Sequence, residues 1–151
     1  MKKFVFTLGS LLQARQSQDT DARRELARIE QRLVEQSAVL NGLNDDLSDQ
    51  VWLWRQRMAS GLGSRILQQF DQGFADLRSR IADQAIRVQS VEQERERALE
   101  RVQQLHREIR SLERLRDQQW QTYQELIAQE QDREMDEFIS FGQQRSIQVS
   151  G

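Results

Sequence analysis

The chain has 151 residues, 30% of them charged and 37% hydrophobic, with a formal net charge of −2 and neither cysteine nor proline. Without cysteine there are no disulfides and no thiolate metal sites. Interspersed charges leave no basic face for nucleic acid. The length fits one domain, residues 1–151, and a sustained apolar repeat separates the chain from a disordered polyampholyte of similar charge.

The N-terminus, Met1-Lys2-Lys3-Phe4-Val5-Phe6-Thr7-Leu8-Gly9-Ser10-Leu11-Leu12-Gln13-Ala14, resembles a short signal peptide. Against that reading, the apolar run is at the lower size limit, and no small residue stands two places before Ala14. Leu8, Leu11, Leu12 and Arg15 continue the helical spacing that follows, so the segment is read as the start of a helix. No other stretch is long or apolar enough to cross a bilayer.

The first helix is predicted over about 7–59, with Thr7 or Ser10 supplying the N-cap hydroxyl. Its pattern thins through the polar run Gln16 to Asp21. It strengthens at Leu26, Ile29, Leu33, Leu40, Leu43 and Leu47, with Gln36 as a polar step. Val51, Trp54 and Met58 follow at steps of four, three and four, a stutter that locally unwinds a supercoil. Asn41-Gly42 is a hairpin signal only between strands. Because Leu40, Leu43 and Leu47 carry the spacing across it, the helix is predicted to continue.

The breaker is Ser60-Gly61-Leu62-Gly63-Ser64, a helix-to-helix turn. Gly61 suits the left-handed position after the first helix, and Ser64 suits the N-cap of the second. The second helix is predicted over about 65–141, with a flexible tail over about 142–151. It carries Ile66, Phe70, Phe74, Leu77, Ile81, Ala85 and Val88 into the heptad positions Val91, Ala98, Val102, Leu105, Ile109 and Leu112. From Phe74 to Phe141 there is no glycine, and one helix of that length runs about 100 Å.

A short loop between long helices makes antiparallel neighbours. With the turn centred near Leu62, facing residues have numbers summing to about 124, because both helices rise equally per residue. Val51 then meets Phe74, Leu47 meets Leu77, Leu33 meets Val91, and Leu12 meets Leu112. Ile29 opposite Arg95 and Arg15 opposite Ile109 are mismatches that arginine stems can cover. The predicted fold is all-α: a long antiparallel two-helix coiled-coil hairpin whose C-terminal helix extends beyond the N-terminus.

By the same rule Phe4 faces Trp120, and residues after about Gln121 have no partner in the chain. That end holds Tyr123, Leu126, Ile127, Met135, Phe138, Ile139 and Phe141. Six carboxylates from Glu125 to Glu137 stand there against Arg133. An apolar edge on an unpaired helix is expected to bind another protein or a second copy.

Nothing in the sequence carries catalysis, a cofactor or a metal. His106 is the single histidine, set among charged neighbours with no companion for general base work. Gly61-Leu62-Gly63 lacks the strand and lysine of a phosphate-binding loop. From Glu92 to Asp117 opposite signs sit three apart, as in Glu92 with Arg95, Glu94 with Arg97 and Arg110 with Glu113, and are expected to pair along an exposed face. Trp52 points away from the seam position Trp54; it either covers Leu62 in the turn or serves as an aromatic anchor for a partner.

Three stretches resemble the FliJ family, the small cytoplasmic component of the bacterial flagellar type III export apparatus. The opening from Phe4 to Arg15 is similar to the family's alternating aromatics, leucine pair and arginine. Phe70, Phe74, Leu77, Ile81 and Gln84 follow its spacing after the turn, and Met135-Asp136-Glu137-Phe138 resembles a tail found in members. Phe70 stands where tyrosine is common, and Gly73 where a bulky residue is often found.

The resemblance implies a non-enzymatic stalk in the ring of the hexameric flagellar export ATPase. It also implies binding to the membrane export gate protein and to flagellar substrate chaperones, and neither a nucleic acid nor a small-molecule substrate. On this reading Phe4, Phe6, Leu8, Met135, Asp136, Phe138 and Phe141 contact the ATPase ring. Leu47, Val51, Trp52, Phe70, Phe74 and Leu77 contact the gate where the seam leaves them free. The expected location is cytoplasmic, at the membrane of the flagellar base. The stalk of a virulence-type secretion system, or a self-associating structural coiled coil, has the same architecture.

Overall fold

The structure, a computed structural model, describes residues 2–61 and 63–149. It is an all-α helical hairpin: helix α1 spans Gly9–Ala59 and helix α2 spans Ser64–Val149, with no strand among the described residues. The apolar spacing dictates this pairing, because two stripes at three-four steps bury each other only when the helices lie side by side. The helix α1 runs unbroken through Asn41 and Gly42. No strand flanks that dipeptide to make it a turn.

The turn satisfies the end of α1 locally. The Ser60 amide and hydroxyl both donate to the Arg57 carbonyl, at 3.1 and 3.0 Å, and the Gly61 amide donates to Met58. Gly61 has φ of +83°, the left-handed conformation expected after the helix. Leu62 lies outside the described residues, and with it the expected centre of the turn and the expected cover of Trp52. Ser64 is the first residue of α2 rather than its N-cap. The Gly63 carbonyl accepts the amides of Ile66 and Leu67 in the first turn. At the other end the helix α1 begins at Gly9, and neither predicted hydroxyl caps it. The Leu8 carbonyl accepts the Leu12 amide and Phe6 accepts that of Gly9.

The chain divides into two compact units, Asp19–Gln104 and Met1–Gln18 with Leu105–Gly151. In the unit Asp19–Gln104 the buried seam includes Ile29, Leu77, Gln84, Val88 and Val91. Leu26, Leu33, Leu40, Leu43, Leu47, Val51, Trp54, Phe70, Phe74 and Ile81 are half-buried along it. Ala85, expected in the seam, is exposed. Gln84 takes the place instead and is 4% exposed. Its amide donates to both the backbone and the side-chain oxygen of Gln36, at 2.9 and 2.8 Å. A buried amide is stable only when bonded, and the polar step at Gln36 supplies the acceptors.

Glu94 and Arg95 do not pair with their helical neighbours as expected. They reach across the hairpin, to Arg32 at 2.9 Å and Glu30 at 3.4 Å. Residues flanking an apolar seam face the flanks of the partner helix, so opposite charges meet there. The Arg95 guanidinium therefore sits beside Glu30, while Ile29 keeps its place in the core.

In the other unit Leu12 and Leu105 are the buried residues, Leu105 completely so. Arg15, expected along Ile109, forms an ion pair with Glu108 at 2.9 Å.

Candidate functional site

No group of three His, Cys, Asp or Glu among the described residues is placed to hold a metal ion, and no helix there is long and apolar enough to cross a membrane. His106 is exposed, with the Arg110 Nε donating to its Nε2 at 3.5 Å. What the molecule offers is surface.

The first candidate surface lies in the unit that holds both termini. Before Gly9 the chain is not helical, and it lies along α2. The Phe4 ring meets Trp120 edge-on at 5.0 Å and Tyr123 at 5.4 Å. The Tyr123 hydroxyl donates to the Lys2 carbonyl at 2.7 Å. This extends the pairing past Gln121, where it was expected to stop. The non-helical segment nevertheless keeps the register expected from the helices: Phe4 meets Trp120, and Lys2 reaches Tyr123, about one position from the residue it was expected to face. Phe6 and Leu8 are half-buried beside it.

Tyr123 and Ile127 are half-buried, and from Ala128 every described residue is exposed. The helix continues through Gly142 to Val149 where a flexible tail was expected. Its last turns are rich in glutamine, a good helix former. Arg145 stacks over the Phe141 ring at 5.6 Å, a cation–π contact at i, i+4 spacing. Ser150 and Gly151 lie outside the described residues. Of the residues expected at the ATPase ring, Met135, Asp136, Phe138 and Phe141 all stand on this exposed helix, Phe138 at 78%. Phe4, Phe6 and Leu8 do not join them in one patch. Tyr123 is the Phe4 neighbour nearest the tail, and Met135 lies about 18 Å farther along the helix.

The second candidate surface lies near the turn, in the unit Asp19–Gln104. Phe70 and Phe74 stack at 6.1 Å with planes 29° apart. A groove on one side of them is lined by Val51, Trp54, Arg55, Asp71, Phe74 and Arg78. A second is lined by Gln50, Leu53, Arg57, Ile66, Gln69, Phe70 and Gly73. A Cβ at Gly73, on this second groove, would crowd the Gln50 Oε1 at 3.3 Å. Of the residues expected at the gate, Leu77 is buried at 7% and serves the seam. Leu47, Val51, Phe70 and Phe74 are half-buried, and Trp52 is 61% exposed.

Sequence reasoning placed Phe4 opposite Trp120, as found, but missed Tyr123, whose ring and hydroxyl also hold the N-terminal segment. The facing of Phe4 and Trp120 was the available signal.

Comparison with known families gives one match, the family described as Flagellar FliJ protein, over residues 4–147. Neither the curated proteins nor the solved structures contain a match.

Proposed function

The chain belongs to the FliJ family, and is thus related to flagellar protein export; from that premise we propose that it is a non-enzymatic stalk of the export ATPase ring. The ring holds the exposed end of α2 through Met135, Asp136, Phe138 and Phe141. The surface near the turn, with Val51, Trp52, Phe70 and Phe74, meets the export gate protein at the membrane. Substrate chaperones are further partners, and the location is the cytoplasmic face of the flagellar base.

The observation that carries this reading is the exposed end of α2. Met135, Phe138, Ile139 and Phe141 are each more than half exposed, on a helix that buries nothing from Ala128 onward. A run of large apolar groups in water on a formed helix fits helix-in-groove recognition. The segment Lys2 to Leu8 supports it differently from the sequence expectation, since Phe4 is engaged with Trp120 and Tyr123. It braces the base of the exposed helix.

Co-purification with the hexameric export ATPase tests the reading. The full chain is expected to bind, and a chain lacking residues 130–151 is expected to lose most of that binding. Intact binding by the shortened chain would show that the ring is held elsewhere.

A further inference from the structure

The exposed end of α2 carries its charges in a pattern. At 100° per residue, Ile127, Gln131, Met135, Phe138 and Gly142 fall along one line, at steps of four, four, three and four. Glu130, Glu134 and Glu137 run along one flank of that line. Glu125, Asp132 and Asp136 run along the other, and Arg133 points to the back. None of the six carboxylates has an ion-pair partner among the described residues, in contrast to Glu30, Glu94 and Glu108. They also crowd one another: Glu130 with Glu134 and Asp132 with Asp136 are like charges at i, i+4, which weaken a helix in isolation. A cationic surface would remove that repulsion.

We propose that the surface receiving this helix is an apolar groove with a basic rim on each side, and that the carboxylate rows fix both the strength and the alignment of docking. The proposal rests on the reading of this helix as the ATPase-ring contact, and names the chemistry of the ring surface that holds it. A second copy of the chain is a poor occupant, because paired tails would set carboxylate rows against each other. An anionic membrane surface repels the same rows. A protein groove lined by Arg and Lys satisfies both the ridge and its flanks.

The test measures affinity of the full chain for the export ATPase across salt concentrations from about 0.03 to 0.3 M, a range over which screening of exposed charges changes strongly. Wild-type affinity is expected to fall as salt rises. The variant E130Q/E134Q/E137Q keeps good helix formers. It is expected to bind about tenfold more weakly at low salt and to approach the wild type at high salt. Phe138→Ala is expected to lose about tenfold or more at every salt concentration. Circular dichroism of each variant checks that helix content is unchanged.

Binding indifferent to both salt and the Gln substitutions overturns the basic rim and leaves the ATPase reading standing. Binding unchanged by Phe138→Ala and by loss of residues 130–151 overturns both. A dimer of the chain alone, weakened by Phe138→Ala, makes the second copy the occupant and overturns the proposal as well.

Discussion

The hydrogen-bonded pair Gln36 and Gln84 makes the sharpest prediction about how the hairpin holds its alignment. Gln84 is nearly inaccessible and donates twice, to the Gln36 backbone and side-chain oxygens. Gln84→Ala removes two neutral hydrogen bonds, together about 2 kcal/mol. Lost packing in the seam brings the expected cost to about 3 kcal/mol. Gln36→Ala removes the side-chain acceptor and leaves the backbone acceptor in place, so it costs about 1 kcal/mol. In the double variant the bond to the Gln36 side chain cannot be lost twice, and the two changes should fall short of additivity by about 1 kcal/mol. Urea unfolding followed by circular dichroism reads all four corners of the cycle. Additivity to within about 0.3 kcal/mol would refute the claim that the two side chains bond. Replacing both by leucine should leave stability equal or higher. It should also populate shifted alignments or swapped dimers, since a lone polar layer is what specifies register in an otherwise apolar seam.

Leu105→Ala empties a fully buried position and should destabilise by about 2–5 kcal/mol, whereas Phe138→Ala, on an exposed face, should change stability by no more than about 0.5 kcal/mol; urea midpoints compare the two directly. Gly61→Ala forces a side chain into the left-handed conformation observed there and should cost about 1–2 kcal/mol by the same assay. Phe4→Ala removes the ring that meets Trp120 and Tyr123. It should shift the tryptophan emission to the red, and an unshifted spectrum would mean that the N-terminal segment does not cover Trp120 in solution.

The fold was legible because the spacing of Leu33, Leu47, Val91 and Leu105 is a direct image of helix pitch, and because Gly61 and Gly63 are where that image breaks. The counting rule holds to within about one turn along the helical arms of the hairpin, as at Arg15 with Glu108 and Gln36 with Gln84. It holds before Gly9 as well, although that segment is not helical: Phe4 meets Trp120 and Lys2 reaches Tyr123. Hydrophobicity alone misplaced two seam residues: Met58, expected to continue the seam after Trp54, is 48% exposed, and Ala85 is exposed too. Ala85 is the apolar candidate, but Gln84 has the correct phase and a partner in Gln36. Pairing across the hairpin by Glu94 and Arg95 was hidden because neighbours in sequence offered equally good charges. The candidate site was legible as an excess of apolar residues near the C-terminus. Its extent was not, since the point where cover ends depends on the side chains of Phe4 and Tyr123 rather than on periodicity.

The helix beyond Ala128 buries none of its described residues and is kept formed by its own backbone ladder and local contacts such as Arg145 over Phe141. Such a segment sits near the balance point between helix and coil in water, so its amides should exchange with deuterium far faster than those around Leu105. A protease should nick it first. Capture by a receptor would then slow that exchange locally, making isotope uptake between Gln131 and Val149 a direct gauge of occupancy in the assembled machine.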